Sequence, residues 1–421
     1  MTDHIRTSST PDGDDPDGEP PDGDGPEGDS PLARPAAGEP EPSAPVTVGE
    51  RITTLDTLRG FAVLGILVMN SIGFFLPLGS YFRIDGPGTE TAPDWVIAIG
   101  AEVFVDQRFM ALFSLLFGAG VVLFADRVEA RGDNPVGLSL WRNTVLLGIG
   151  LLHGLLWFGD VLLIYALCSP VVLALRNASA QVLLRAGTGL VLFPVVAAGL
   201  ANLTIGPAGE GLGDELWLAG GEMSGPVLAF FLVDYLGRAL GMMLIGVALY
   251  RNGFLTGTAP AELYRNAAAI GLGVGLVLSS IGVLVVVVAD FSPAVALPGL
   301  APTTFGTIPA AIGYAALLIA WDRGSVADGA GVIRRQLHRR LGAVGRMALT
   351  NYLVHSVLGL LLVPALLDTA GFTRTSLAIF VVVVWLLQLG YSAPWLDRFR
   401  YGPAEWLWRC ATYRRLLPIA R

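Results

Sequence analysis

His153 and Asp160 flank a short turn inside an apolar stretch, LLHGLLWFGDVLLIYA at 151–166. A carboxylate beside an imidazole fixes its tautomer and supports the imidazolium, which is what a general base requires. In the plainer alternative, His153 bonds a neighbouring carbonyl and Asp160 caps the helix that follows. A second set opens the apolar run 103–124 with Glu102, Asp106 and Arg108, and Asp234 and Arg238 stand one helical turn apart in 227–250. Ionisable side chains within apolar spans are costly and are functional candidates by default, although such residues also form charge pairs that only permit insertion. A third set comprises Asp56 and Arg59 at the start of one run, with Arg346, Asn351 and His355 at the start of another. Arginines beside an embedded cavity can hold the phosphates of a cytoplasmic donor. Arginines at such helix ends are also what membrane topology alone demands, and Asn351 and His355 can equally bond between helices.

Other chemistries find no residues. All 27 basic residues are arginine, so lysine nucleophiles and Schiff bases are excluded. Cys168 and Cys410 have no partner at disulfide or metal spacing, and no metal site is expected. The glycine run GLGVGL at 271–276 lies inside an apolar segment and follows no strand, so it belongs to helix packing and not to nucleotide binding.

The elements that must position these residues are membrane helices. The chain is 53% hydrophobic with a mean hydropathy of +0.61. From Leu55 onward it repeats apolar runs of roughly 18 to 25 residues, the length that crosses a bilayer core as a helix. Ten spans are predicted, near 55–77, 103–124, 143–159, 161–176, 181–203, 227–250, 266–289, 303–321, 347–367 and 376–394. With the N-terminus inside, the inner connections hold Arg127, Arg131, Arg142, Arg176, Arg185, Arg251 and Arg265, then six arginines between Arg323 and Arg346. The outer connections hold only Arg83 and Arg374. That asymmetry predicts an all-α polytopic, multi-pass membrane protein with both termini cytoplasmic.

Residues 1–50 differ sharply from this body. They carry 13 of the 35 acidic residues, two arginines and ten prolines, a balance of −11 against −8 for the whole chain. Such a segment cannot bury enough apolar surface to offset chain entropy, and a disordered acidic tail without a cleaved signal peptide is expected. The transmembrane helical domain then covers 51–400. Residues 401–421 mix Trp406, Trp408 and Tyr413 with Arg409, Arg414 and Arg415, the composition of an interfacial cytoplasmic tail. Glycine pairs such as Gly150/Gly154, Gly237/Gly241 and Gly271/Gly275 let helices approach closely and would allow a homodimer.

Five segments carry a resemblance: LDTLRGFAVLGILVMN (55–70), RFMALFSLLFGAG (108–120), LLHGLLWFGDVLLIYA (151–166), GRMALTNYLVHS (345–356) and GPAEWLWR (402–409). They resemble the successive motifs of the YeiB-like family of bacterial membrane proteins (domain of unknown function 418), from about Arg51 to the C-terminus. The family is distantly related to transmembrane acyltransferases, among them enzymes that acylate surface polysaccharides and the lysosomal heparan-sulfate acetyltransferase. The resemblance implies transfer of an acyl group from a cytoplasmic acyl-coenzyme A, as co-substrate, to a small-molecule or envelope-glycan acceptor at the outer face. His153, Asp160 and Asp106 are then the catalytic candidates, and Glu102, Arg108, Asp234 and Arg238 form an acceptor-side cluster. Arg59, Arg346, Asn351 and His355 would bind the donor. The lysosomal relative has a histidine in the region leading into its early span, whereas AEVFVDQRFMALF has none, so the role of His153 does not carry over from it. The alternative is a transporter or flippase of a small amphiphile, suggested by the intramembrane charge pairs and by Pro170, Pro194, Pro309 and Pro364. Membrane lipid is an expected partner and nucleic acid is not.

Overall fold

The computed structural model describes residues 52–205, 225–326 and 331–421. The acidic tail and most of the connection 204–226 lie outside the described residues. Lipid offers no hydrogen bonds, so apolar runs must satisfy their backbone internally, and they do so as helices. In chain order these are α1 (Thr53–Phe75), α2 (Gly79–Phe82), α3 (Ala92–Phe104), α4 (Arg108–Glu129), α5 (Pro135–Gly154), α6 (Val161–Ala174) and α7 (Ala180–Ile205). They are followed by α8 (Gly225–Arg251), α9 (Ala261–Val288), α10 (Ala296–Val326), α11 (Val332–Arg346), α12 (Ala348–Ser356), α13 (Val363–Leu366), α14 (Arg374–Arg398) and α15 (Pro403–Tyr413). Among the described residues nine helices are long and apolar enough to cross a membrane, so the protein is an all-α polytopic membrane protein.

The fourth expected span, 161–176, is shorter than the others. At 14 residues α6 rises about 21 Å, less than a bilayer core. Asp160 caps its start, accepting the Leu163 N–H. The second expected span is instead two helices. Thr91 and Asp94 form a capping box that starts α3 eleven residues early, and the chain breaks at 105–107, where Gln107 has a φ of 59°. The ninth is also composite. A π-helical turn, Val357–Leu362, separates α12 from α13, and the N–H of Val363 reaches back five residues to the carbonyl of Leu358. Pro364, which has no N–H to donate, follows directly.

The arginine-rich connection after the eighth span contains α11, which its charge conceals in the sequence. Ile333, Leu337, Leu341 and Val344 recur at helical spacing, and the last two are buried against α1. The two backbones touch. A Cβ at Gly345 would lie 1.8 Å from the Asp56 carbonyl, and one at Gly60 would lie 2.1 Å from that of Leu341. Along α9, Gly271 and Gly275 likewise meet the α10 backbone at Pro309, Ala310 and Gly313. The opposite face of α9 exposes Val274, Val277, Ile281, Leu284 and Val288, a stripe suited to lipid. The core lies between α1, α4, α8 and α10, where Leu58, Leu112, Leu115, Met242 and Ala315 are fully enclosed.

Candidate active site

The turn between α5 and α6 builds a buried, hydrogen-bonded polar group in the interior. His153 occupies the last turn of α5 and Asp160 is the N-cap of α6. Gly150 lets the two helices close up, since a Cβ there would stand 2.7 Å from the Leu163 nitrogen. Asp160 Oδ1 then lies 2.7 Å from His153 Nδ1, and Oδ2 accepts the Leu163 N–H at 2.8 Å. One carboxylate therefore holds the imidazole and caps the helix together.

α12 supplies the rest. Its Tyr352 hydroxyl donates to Asp160 Oδ1 at 3.2 Å and accepts the Val161 N–H at 3.2 Å. One turn later Ser356 Oγ lies 2.9 Å from His153 Nε2. Residues four apart on a helix share a face, and this face of α12 is turned to the α5–α6 hairpin. All four side chains are buried. A carboxylate can only accept, so Nδ1 of His153 carries the proton and the Nε2 lone pair points at the Ser356 hydroxyl. Serine, imidazole and carboxylate thus stand in line, as in an acyl-transfer triad.

The adjoining face of α12 ties the helix to its neighbours. Asn351 donates to the Val344 carbonyl at 3.1 Å and to Ser392 at 3.4 Å, and it accepts from Tyr391. His355 Nε2 pairs with Gln388 Oε1 at 3.1 Å, while the Gln388 amide donates to the Asn351 carbonyl. These bonds tie α12 to α14. The start of α12 is held by Glu405 of α15, which accepts from the Leu349 and Thr350 N–H groups at 2.7 and 3.0 Å and from the Thr350 hydroxyl at 2.6 Å. Burial pushes the Glu405 carboxyl up, and these donors oppose that. A carboxylate at this end also suits the helix dipole.

The second set lies at the α3–α4 break and on α8. Arg108 is fully buried and donates to the carbonyl of Glu102 at 2.9 Å, to the carbonyl of Asp106 and to Ser279. It therefore satisfies the open end of α3 and does not pair with the Asp106 carboxylate. Asp234 and Arg238 form the expected pair. Tyr235, which lies between Asp234 and Arg238 on α8, packs against the cluster that holds Val161 and Leu162 at the start of α6.

The third set divides. At the arginine-rich end a cavity of about 170 Å³ is lined by residues that include Asp56, His338, Arg339, Arg346 and Asp397. Arg59 pairs with Asp56 at 3.5 Å. Asn351 and His355 do not line this cavity. Beside it His338 Nε2 meets Asp322 Oδ1 at 2.6 Å, and Asp322 also accepts from Thr54 and Thr57 at 2.8 and 2.9 Å.

Sequence reasoning missed Ser356, Tyr352, Asp322 and His338. Tyr352 and Ser356 had a signal, as two polar residues four apart in an apolar run, beside the Asn351/His355 face. The Asp322–His338 contact joins two helices and had none.

The family described as "Protein of unknown function (DUF418)" matches residues 249–415. The chain is 33% identical over 407 residues to the "Uncharacterized protein YeiB" of Escherichia coli (strain K12), covering 88% of this chain and 98% of that protein. It is 29% identical over 418 residues to the "Uncharacterized protein YxaH" of Bacillus subtilis (strain 168), covering 90% and 98%. An "Uncharacterized 39.9 kDa protein in amylase 3'region" of Bacillus acidopullulyticus is 28% identical over 386 residues, covering 89% and 97%. The GRMALTNYLVHS and GPAEWLWR segments that hold and cap α12 fall within the matched region, and the chain belongs to the YeiB-like DUF418 family.

Proposed function

We propose that this protein is an acyltransferase of the bacterial cytoplasmic membrane. It takes an acyl group from a cytoplasmic acyl-coenzyme A and delivers it to a hydroxyl or amine at the outer face. The observation that carries this reading is the His153 imidazole, fixed by Asp160 at 2.7 Å with Nε2 directed at a hydroxyl. An imidazole held this way takes a proton from an attacking hydroxyl and returns it to a leaving group. Desolvation favours the arrangement, because a buried pair with every polar atom engaged keeps one geometry.

The cavity at the arginine-rich end supports the donor side. Arg339 and Arg346 line it, and guanidinium groups suit the phosphates of a nucleotide thioester. From its edge α12 runs nine residues to Ser356, a rise of roughly 14 Å that an extended thioester arm would have to cover. The neighbouring set of Glu102, Asp106, Asp234 and Arg238 offers hydrogen-bonding groups to a polar acceptor.

The test is release of free coenzyme A from acetyl-coenzyme A by purified protein in proteoliposomes containing envelope glycan. Release by wild type that falls about 10³-fold in His153→Ala supports the reading. Absence of release across several acyl chains, with uptake of an amphiphile into the same vesicles, would replace it with transport.

A further inference from the structure

The hydroxyl that His153 faces belongs to the protein and not to a substrate, and this bears on the order of the chemistry. Nε2 has one lone pair, and Ser356 Oγ occupies it at 2.9 Å. An acceptor molecule activated directly by His153 would first have to displace Ser356, which is fully buried. We propose that Ser356 is the nucleophile and carries the acyl group covalently between donor and acceptor. This rests on the transferase reading above.

In the first half-reaction Ser356 Oγ attacks the thioester carbonyl carbon and its proton passes to His153 Nε2. The tetrahedral adduct collapses, the carbon–sulfur bond breaks, and the coenzyme A thiolate leaves with the proton from His153. In the second, the acceptor hydroxyl or amine attacks the acyl-serine carbonyl and gives its proton to His153. The bond between that carbon and Oγ breaks, and Oγ recovers the proton. The imidazole ends as it began, and Asp160 supports its charged form in both halves.

Three further observations fit a reacting serine. Ser356 is the last α-helical residue before the π-helical turn, a departure from regular helix that often marks functional sites. The oxyanion needs a donor, and the buried indole N–H of Trp157 has no hydrogen-bond partner among the described residues. Trp157 lies one turn beyond His153 and packs in a cluster with Leu358 and Leu360, which follow Ser356. A covalent carrier also suits a transfer whose two substrates come from opposite sides, because they never need to share the site.

The experiment uses the full-length protein in lipid nanodiscs, with isotopically labelled acetyl-coenzyme A and, separately, a short-chain fluorophosphonate as probe. Peptide mass spectrometry reads the position of label. The expected result is acetyl and phosphonyl adducts on Ser356, none in Ser356→Ala, and labelling at least about 100-fold slower in His153→Ala. Ser356→Cys keeps size and nucleophile, and is expected to hold the acetyl group as a hydroxylamine-sensitive thioester. Coenzyme A release by Ser356→Ala at the wild-type rate would overturn the covalent carrier while leaving the transferase. Phosphonyl labelling of Ser356 without thioester consumption would overturn the transferase while keeping the nucleophile. Neither label nor release would overturn both.

Discussion

Two histidine–aspartate contacts among the described residues have nearly equal length, 2.7 Å at His153–Asp160 and 2.6 Å at His338–Asp322, and they do different things. At the α5–α6 hairpin the carboxylate holds the imidazole, a helix N-terminus and Tyr352, and the second imidazole nitrogen meets a serine. At the arginine-rich end Asp322 holds two threonines of α1, and His338 lines an open cavity. The first contact is one link in a directed chain that ends in the Ser356 hydroxyl. The second fastens α1 to α10 and α11. A His–Asp distance alone does not distinguish a catalytic pair from a structural one; the partner of the remaining nitrogen does.

Substitutions at the two pairs should therefore diverge. Asp160→Asn is expected to lower kcat for thioester turnover by about 10³- to 10⁴-fold, since an amide no longer fixes the required tautomer. Steady-state coenzyme A release would show it. Asp322→Asn should leave kcat near wild type and instead lower stability by about 1–3 kcal/mol, because one buried donor would lose its acceptor, measurable as thermal unfolding in detergent. Equal losses of kcat in the two variants would erase the distinction.

Next in size is the packing that sets the floor of the cavity. Gly345→Val places side-chain atoms into the Asp56 carbonyl and should cost about 1–3 kcal/mol, or more if α11 detaches, with donor KM raised more than kcat falls. Glu405→Ala removes the carboxylate that holds the start of α12 and should cost about 1 kcal/mol. It should also lower kcat, because α12 carries Ser356 and Tyr352. The smallest effect is expected at Tyr352→Phe, which removes one bond to Asp160 and strands the Val161 N–H at about 1 kcal/mol. His338→Ala should raise the donor KM and spare kcat, the reverse of the hairpin variants.

Much of the fold was legible because membrane helices are written in composition. Apolar runs of fixed length, broken by arginines on alternate connections, gave the long helices, while several ends moved: α5 begins eight residues and α10 seven residues before the expected limits. The failures fall where local signals compete. α11 is hidden because its arginines outweigh Ile333, Leu337, Leu341 and Val344, and the α3–α4 break depends on Gln107 meeting Thr304 and Thr307 of α10, nearly 200 residues away. The site was half legible for the same reason. His153 and Asp160 are seven residues apart on one hairpin, so their contact could be read from a turn. Ser356 reaches His153 across 203 residues, and no local pattern encodes that. The dimer suggested by glycine faces has fewer glycines to draw on, since Gly237, Gly241, Gly271 and Gly275 already meet neighbouring helices of the same chain.

The most direct measurement is coenzyme A release from labelled acetyl-coenzyme A in proteoliposomes by wild type, His153→Ala and His338→Ala at saturating donor. Release that falls about 10³-fold in His153→Ala and persists in His338→Ala is the predicted result. Equal release by wild type and His153→Ala, or none by wild type with any acyl chain, would contradict an acyl-transfer site at the α5–α6 hairpin.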